Sequence, residues 1–498
     1  MTEQDRPQPP RARPATSADQ GDLGVRAPAA PAGQRRPDGT QIRRWHAELA
    51  WLPGDGVRPD VLLEADGDRF SAVTPAVRPA QLPADVVRLP GLTLPGLANG
   101  HSHAFHRPLR GITQADRGTF WTWRDRMYAV AARLDPDSYL ALATAVYAEM
   151  ALAGVTCVGE FHYLHHGPGG TRYADPNEMG RALLAAAGRA GIRITLLDTC
   201  YLSGGLTDDG RSQPLAGPQL RFGDGDGEAW AARADALGAD HRGTLSPVAR
   251  VGAAIHSVRA VPVRQMHQVV AWSHRLGAPL HAHLSEQVAE NEVCLAAYRQ
   301  TPAEVLYDTG ALGPRSTMVH ATHLTARDIE LLGGSRAFAC LCPTTEADLA
   351  DGIGPASALA SAGSPLTVGS DSQAVIDLFE ETRRVEQYER LATGRRGHFT
   401  ADALARAATL DGHASLGWPD AGEITPGALA DLVTVSLDSP RLAGTAAASA
   451  LESVIFAASA ADVRAVVAGG RDVVRDGRHL LAGDVPAALA AAIRPLTN

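Results

Sequence analysis

The sequence predicts a (β/α)8 TIM-like barrel with a small, discontinuous β-sandwich domain built from its N- and C-terminal flanks. Three observations carry this. First, eight short apolar runs, at 92–98, 156–161, 192–198, 248–255, 279–284, 317–322, 337–341 and 366–369, alternate with helical patterns such as 137–153, 262–276, 285–298 and 374–391. Runs without polar alternation are strands buried on both faces, and alternation with helices makes them parallel. Second, both flanks carry brief strand-like runs between Gly, Pro and Asp, at 60–63 and 86–89, then at 430–435, 463–468 and 471–474. Their similarity suggests that they pair into one unit. Third, polar residues recur just after the barrel runs, where barrel enzymes place their chemistry.

These patterns divide the chain into a barrel at 95–420 and a β domain contributed by 41–94 and 421–485, with a C-terminal tail at 486–498. Residues 1–40 hold seven prolines and almost no large apolar side chains. Such a segment cannot bury enough surface to offset its ordering entropy, so a disordered N-terminal extension is expected.

Composition sets limits on function. With 45% hydrophobic and 20% charged residues the chain is ordinary globular protein. A net charge of −9 argues against nucleic acid as a partner. An anionic small molecule remains compatible, because a pocket can be locally basic. All 46 basic residues are arginine, so neither a Schiff-base lysine nor a carbamylated lysine bridging two metals is available. Five cysteines at scattered spacing argue against a disulfide framework. Cys340 and Cys342 form C-x-C; on a strand they share a face and could act as two ligands, although reduced core cysteines are the simpler reading. No apolar leader segment is visible, and the most apolar stretch, 139–155, carries Glu149 and reads as a buried barrel helix. A cytoplasmic protein without a membrane partner is expected.

The ends of the runs carry His101-x-His103, Glu160, His256, His283-x-x-Glu286, His320 and Asp371. Alternate residues of a strand share a face, so His101 and His103 can both point into the barrel mouth. A single such pair is as often structural as metal-binding. Joined by His283 and Asp371, it gives three imidazoles and a carboxylate, a set suited to one zinc ion with a position left for water. Ligand type alone leaves manganese and iron open. His106, three residues beyond a ligand, can face a substrate. His162, His165, His166, His256 and His323 read as supporting or structural histidines, since a four-ligand site is already full.

The stretch LPGLANGHSH at 94–103, H-x-x-E at His283 to Glu286, His320, and Gly369-Ser370-Asp371 together resemble the strand motifs of the amidohydrolase superfamily. The absence of lysine places the chain beside its mononuclear, deaminase branch. Within it, HSHAFHR at 101–107, FWTWRDRMY at 120–128, GEFHYLHH at 159–166, HSVRAV at 256–261 and LCPTTEADLADGIG at 341–354 resemble the formimidoylglutamate deiminases, a family of histidine degradation. That resemblance implies one divalent metal, a homodimer, and hydrolysis of N-formimidoyl-L-glutamate to N-formyl-L-glutamate and ammonia. It assigns Asp371 to the proton of the attacking water and Glu286 to a proton shuttle toward the leaving nitrogen. His320 orients or stabilises the tetrahedral intermediate, while Arg124, Tyr163 and Arg259 hold the substrate carboxylates. Two positions depart from the pattern: His106 stands where glutamine is expected, and Gln373 where histidine is usual. Read without the resemblance, Arg124 could equally be a helix-surface ion-pair residue and Tyr163 a core aromatic with a bonded hydroxyl.

Two competing readings fit parts of the sequence. A deaminase of an aminated heterocycle, of guanine or adenosine type, would use the same metal set with aromatic stacking in place of paired arginines. A catalytically inert barrel scaffold would usually lack metal ligands, and none is missing here.

Overall fold

The computed structural model describes residues 42–497 except 116, 208, 245 and 246. The expected disordered extension, 1–40, lies outside the described residues.

Eight parallel strands form the barrel wall: Leu97–Ser102, Val155–His162, Arg193–Cys200, Ala249–Ile255, Leu280–Leu284, Ser316–His320, Phe338–Leu341 and Leu366–Val368. They are hydrogen-bonded in chain order. Seven of the expected runs coincide with these strands to within a few residues. The first does not. Residues 92–95 belong to the flanking sheet, as part of the strand Val87–Pro95, and the barrel begins only at Leu97. Gly96 makes the hand-over possible. A Cβ there would lie 2.2 Å from the Thr156 hydroxyl, and its N–H donates to Asp431 O at 3.0 Å. Two sheets meet at one residue, so an unbroken apolar run spans both.

The flanks do pair. Strands Ile42–Leu52, Gly56–Asp66, Arg69–Thr74 and Val87–Pro95 join Leu432–Val435, Val463–Ala468, Arg471–Arg475 and Arg478–His479 in a second eight-stranded sheet. Leu94 opposite Val433 is the link between the two ends of the chain. It is one sheet rather than two, and it curls. Three strands separate Ile42–Leu52 from Arg471–Arg475, which would place them about 19 Å apart if flat. Yet the Trp45 indole donates to Asp472 at 3.1 Å. The enclosed core holds Trp45, Val61, Leu63, Phe70, Leu89 and Val467.

The expected C-terminal tail is instead a helix, Val485–Thr497, with Val485, Leu489 and Leu496 buried. Its apolar spacing repays docking: it lies against the helix Pro136–Leu152, and the Arg133 guanidinium donates to Leu496 O at 2.7 Å. Pro136–Leu152 is the apolar stretch singled out in the sequence, buried as expected. No helix among the described residues is long and apolar enough to cross a membrane. All five cysteines are buried and unpaired.

Barrel and flanking sheet are joined by a buried ion pair. Arg193, opening the third barrel strand, meets Asp431 at 3.0 Å, with both side chains almost wholly buried. Asp431 also accepts from Gly469 N at 2.6 Å. Removing one partner of a buried pair strands the other, at a cost of about 3–5 kcal/mol. Asp431→Ala should therefore lower the urea-unfolding midpoint by that amount of stability. The double variant Asp431→Leu with Arg193→Met should lose clearly less, and equal losses would remove the pair from this role.

Candidate metal centre and cavity

The seam between the first and eighth strands builds the site. Asp371 N donates to His101 O at 3.0 Å, and His103 N donates to Asp371 O at 3.1 Å, closing the ring through a parallel bridge at Ser102 and Asp371. Gly369 allows this approach, because a Cβ there would sit 2.8 Å from the His101 backbone. Asn99 braces the far side, accepting from Ser370 N at 2.9 Å and donating to Ser370 Oγ at 2.7 Å. The LPGLANGHSH and GSD stretches are therefore two sides of one joint.

Four donors converge there. The ligand atoms of His101, His103, His283 and Asp371 lie within 4.8 Å of one another, and all four residues are buried. The Nε2 atom of His101 is 3.1 Å from those of His103 and His283. Asp371 Oδ1 is 3.2 Å from His101 Nε2 and 3.4 Å from His103 Nε2. Ligands at zinc–nitrogen distances would form tetrahedral edges of about 3.3 Å. Ring tautomers agree. His103 Nδ1 donates to Phe161 O at 2.9 Å and His283 Nδ1 to His256 O at 2.8 Å, so each Nε2 carries a lone pair. Burial holds all three imidazoles below their usual pKa, hence neutral. Inward lone pairs facing a carboxylate repel one another unless a cation lies between them, and a divalent ion fits that demand.

The expected acid–base residues surround this point. Glu286, which the helical pattern at 285–298 would put on a helix, lies in the turn between Leu280–Leu284 and the helix Val288–Tyr298. The positive φ of Ser285, 49°, turns the chain so that Glu286 lines the cavity. Its Oε1 is 3.8 Å from His320 Nε2, and burial pushes its carboxyl up. Burial alone would lower His320. The charge of Glu286, the bond to Glu346 at 3.4 Å and the charge of Asp371 raise it well above the usual imidazole range instead. Positive φ recurs at His320, Ala321, Asp371 and Gln373 (69°, 52°, 40° and 60°). Such conformations carry strain and collect where the fold over-determines them.

A cavity opens beside the donors, lined by His106, Arg124, Tyr163 and Arg259 among others. All four expected substrate-facing residues are thus brought together. Arg124, on the helix Phe120–Arg133, lies over the Trp121 ring at 4.4 Å rather than in a surface ion pair. The Nε atoms of Arg124 and Arg259 are buried without hydrogen-bond partners. His106 Nε2 and the Tyr163 hydroxyl are 3.1 Å apart, and burial lowers His106 to about 3, so its ring is neutral. Gln373 does not reach the cavity. It donates to Ser102 Oγ and accepts from Ser370 Oγ, each at 2.8 Å, within the wall.

His256, read from the sequence as supporting or structural, has its ring in the cavity lining beside Trp123 and Phe120, while Tyr201 and Phe222, which no sequence signal singled out, complete the aromatic walls. Glu346 accepts from Cys342 N at 2.7 Å while facing His320. Glu290 is 3.8 Å from Arg259 Nε, and burial pushes its carboxyl up to about 7 against the pull of Arg259. By contrast His165 and His166 are spent on Thr199 O and Asp224, behind the wall.

Residues 92–473 match the model of the Amidohydrolase family. The chain is 37% identical to formimidoylglutamate deiminase of Pseudomonas aeruginosa over 444 residues, covering 87% of this chain and 95% of the relative. A solved amidohydrolase from Brucella melitensis superposes with a TM-score of 0.83 at 33% identity, covering 92% of this chain and 100% of that one. A solved adenosine deaminase from Xanthomonas campestris with bound zinc superposes with a TM-score of 0.77 at 25% identity, covering 91% and 97%.

The donor geometry has a direct test. His283→Ala should lose most of the bound metal measured by elemental analysis of the purified protein, whereas Glu286→Gln should keep it. Equal metal content in both variants would place the ion elsewhere.

Proposed function

We propose that this chain, which belongs to the amidohydrolase family, hydrolyses N-formimidoyl-L-glutamate to N-formyl-L-glutamate and ammonia with one zinc ion held by His101, His103, His283 and Asp371. It is a hydrolase acting on C–N bonds. The observation that carries the substrate is the pair of guanidinium groups, Arg124 and Arg259, each with an unpartnered buried nitrogen, in the same cavity as the converging donors. Glutamate carries two carboxylates, and a guanidinium fork matches a carboxylate with two bonds. The 37% identity to a formimidoylglutamate deiminase and the zinc of the adenosine deaminase support the same reading.

When bound, the metal supplies Lewis acidity that lowers the pKa of water from about 15.7 toward 7. The protein's own groups do the rest. Arg124, Arg259 and the Tyr163 hydroxyl fix the carboxylates, and His106 steadies Tyr163. Asp371 takes the proton of the attacking water. The oxygen adds to the formimidoyl carbon, His320 holds the charge that develops, and Glu286 passes a proton to the departing nitrogen. One water enters, the C–NH2 bond breaks, and ammonia leaves beside the formamide.

The aromatic walls favour a second reading, an aminated heterocycle stacked between Trp123, Tyr163 and Tyr201. Ammonia release decides between them when N-formimidoyl-L-glutamate, N-formimidoyl-L-aspartate and a panel of aminopurines are compared. Turnover of the glutamate derivative is the expected result, and activity confined to the purines would reject it. Glu286→Gln should cost roughly 10²–10⁴ in kcat. Arg259→Met should chiefly raise KM, by about ten- to a hundredfold, as befits lost charge-assisted hydrogen bonds; unchanged steady-state kinetics would remove Arg259 from the substrate.

A further inference from the structure

The C-x-C pair is not used by this chemistry, yet it lies against the site. Cys342 follows the seventh barrel strand, Phe338–Leu341, and its sulfur forms a second convergent group with His320 and Asp371, all buried and with donor atoms within 4.8 Å. The two oxygens of Asp371 face different neighbours. Oδ1 looks toward His101 and His103, while Oδ2 is 4.0 Å from His320 Nε2. Glu346 fixes the other two donors at once: the same Oε1 accepts from Cys342 N at 2.7 Å and faces His320 Nδ1 at 3.4 Å, which presents Nε2 toward Asp371.

We propose that Cys342, His320 and Asp371 form a second, inhibitory site for a soft divalent ion, with Asp371 shared between it and the first. The sharing rests on the metal reading given above. A carboxylate whose oxygens address two donor sets is suited to bridge ions about 3.5–4 Å apart. Sulfur beside nitrogen selects a soft metal over magnesium or calcium. The 4.0 Å spacing of His320 and Asp371 exceeds the 3.1–3.4 Å edges of the first group, which favours cadmium over the smaller zinc. As the metal–sulfur and metal–nitrogen bonds form, the thiol proton of Cys342 and the Nε2 proton of cationic His320 both leave to solvent, and no oxidation state changes. The ion withdraws His320 from Glu286, 3.8 Å away, and so from the reaction.

The test titrates the zinc-loaded protein with cadmium chloride while following the thiolate-to-cadmium charge-transfer band and ammonia release. Beyond the first equivalent of metal, the band should grow as activity falls, and a chelator should reverse both. Cys342→Ser should keep its zinc and basal turnover, lose the band, and resist cadmium by at least the roughly tenfold seen when even an outer partner of a metal ligand is removed. Cys342→Ala should behave alike. A band that survives in both variants, or is lost from Cys340→Ser instead, overturns the proposal, as does failure to bind a second equivalent. Cadmium replacing zinc among His101, His103, His283 and Asp371 gives no thiolate band. Protein isolated without zinc would sink the first site, while the Cys342 comparison would still report on the second.

Discussion

Two backbone hydrogen bonds, from Asp371 N to His101 O and from His103 N to Asp371 O, close the barrel between its first and last strands. They fix three of the four converging residues relative to one another before any side chain is considered. The joint tolerates little variation, because Gly369 passes within contact of the His101 backbone and Asp371 sits at φ 40°. Asn99, Ser370 and Gln373 spend their polar groups on the same seam, and Ser102 passes the connection on to Glu160 at 2.8 Å. Strain at such a position persists when the surrounding bonds over-determine it.

Burial then sets the charges. The three imidazoles around Asp371 are held neutral because burial outweighs the pull of that carboxylate on His101 and His103. One residue away, His320 is driven the other way by Glu286, Glu346 and Asp371. Neutral ligands and a cationic neighbour thus arise from one ring type in one small volume, separated only by which carboxylates each ring can reach. The cavity beyond repeats the pattern at its outer end. Arg259 faces Glu290 at 3.8 Å, near enough to be held by charge and too far to spend its hydrogen bonds. Its Nε is left buried without a hydrogen-bond partner.

The chain's own pattern determined the number and direction of the barrel strands, the pairing of the two flanks, and the set His101, His103, His283 and Asp371. These follow from local signals: apolar runs buried on both faces, and polar residues at strand ends. Tertiary structure alone decided the rest. The run at 92–98 could not reveal that Gly96 divides it between two sheets, since both sides are equally apolar. The helical pattern at 285–298 placed Glu286 on a helix, whereas a positive φ at Ser285 builds the actual path and the helix begins only at Val288. Sequence expected His106 to face a substrate, and its ring does line the cavity, but it gave no sign that Gln373 braces the wall instead. Which side chains face the same empty space depends on barrel closure, a relation between residues hundreds of positions apart, and no local period encodes it.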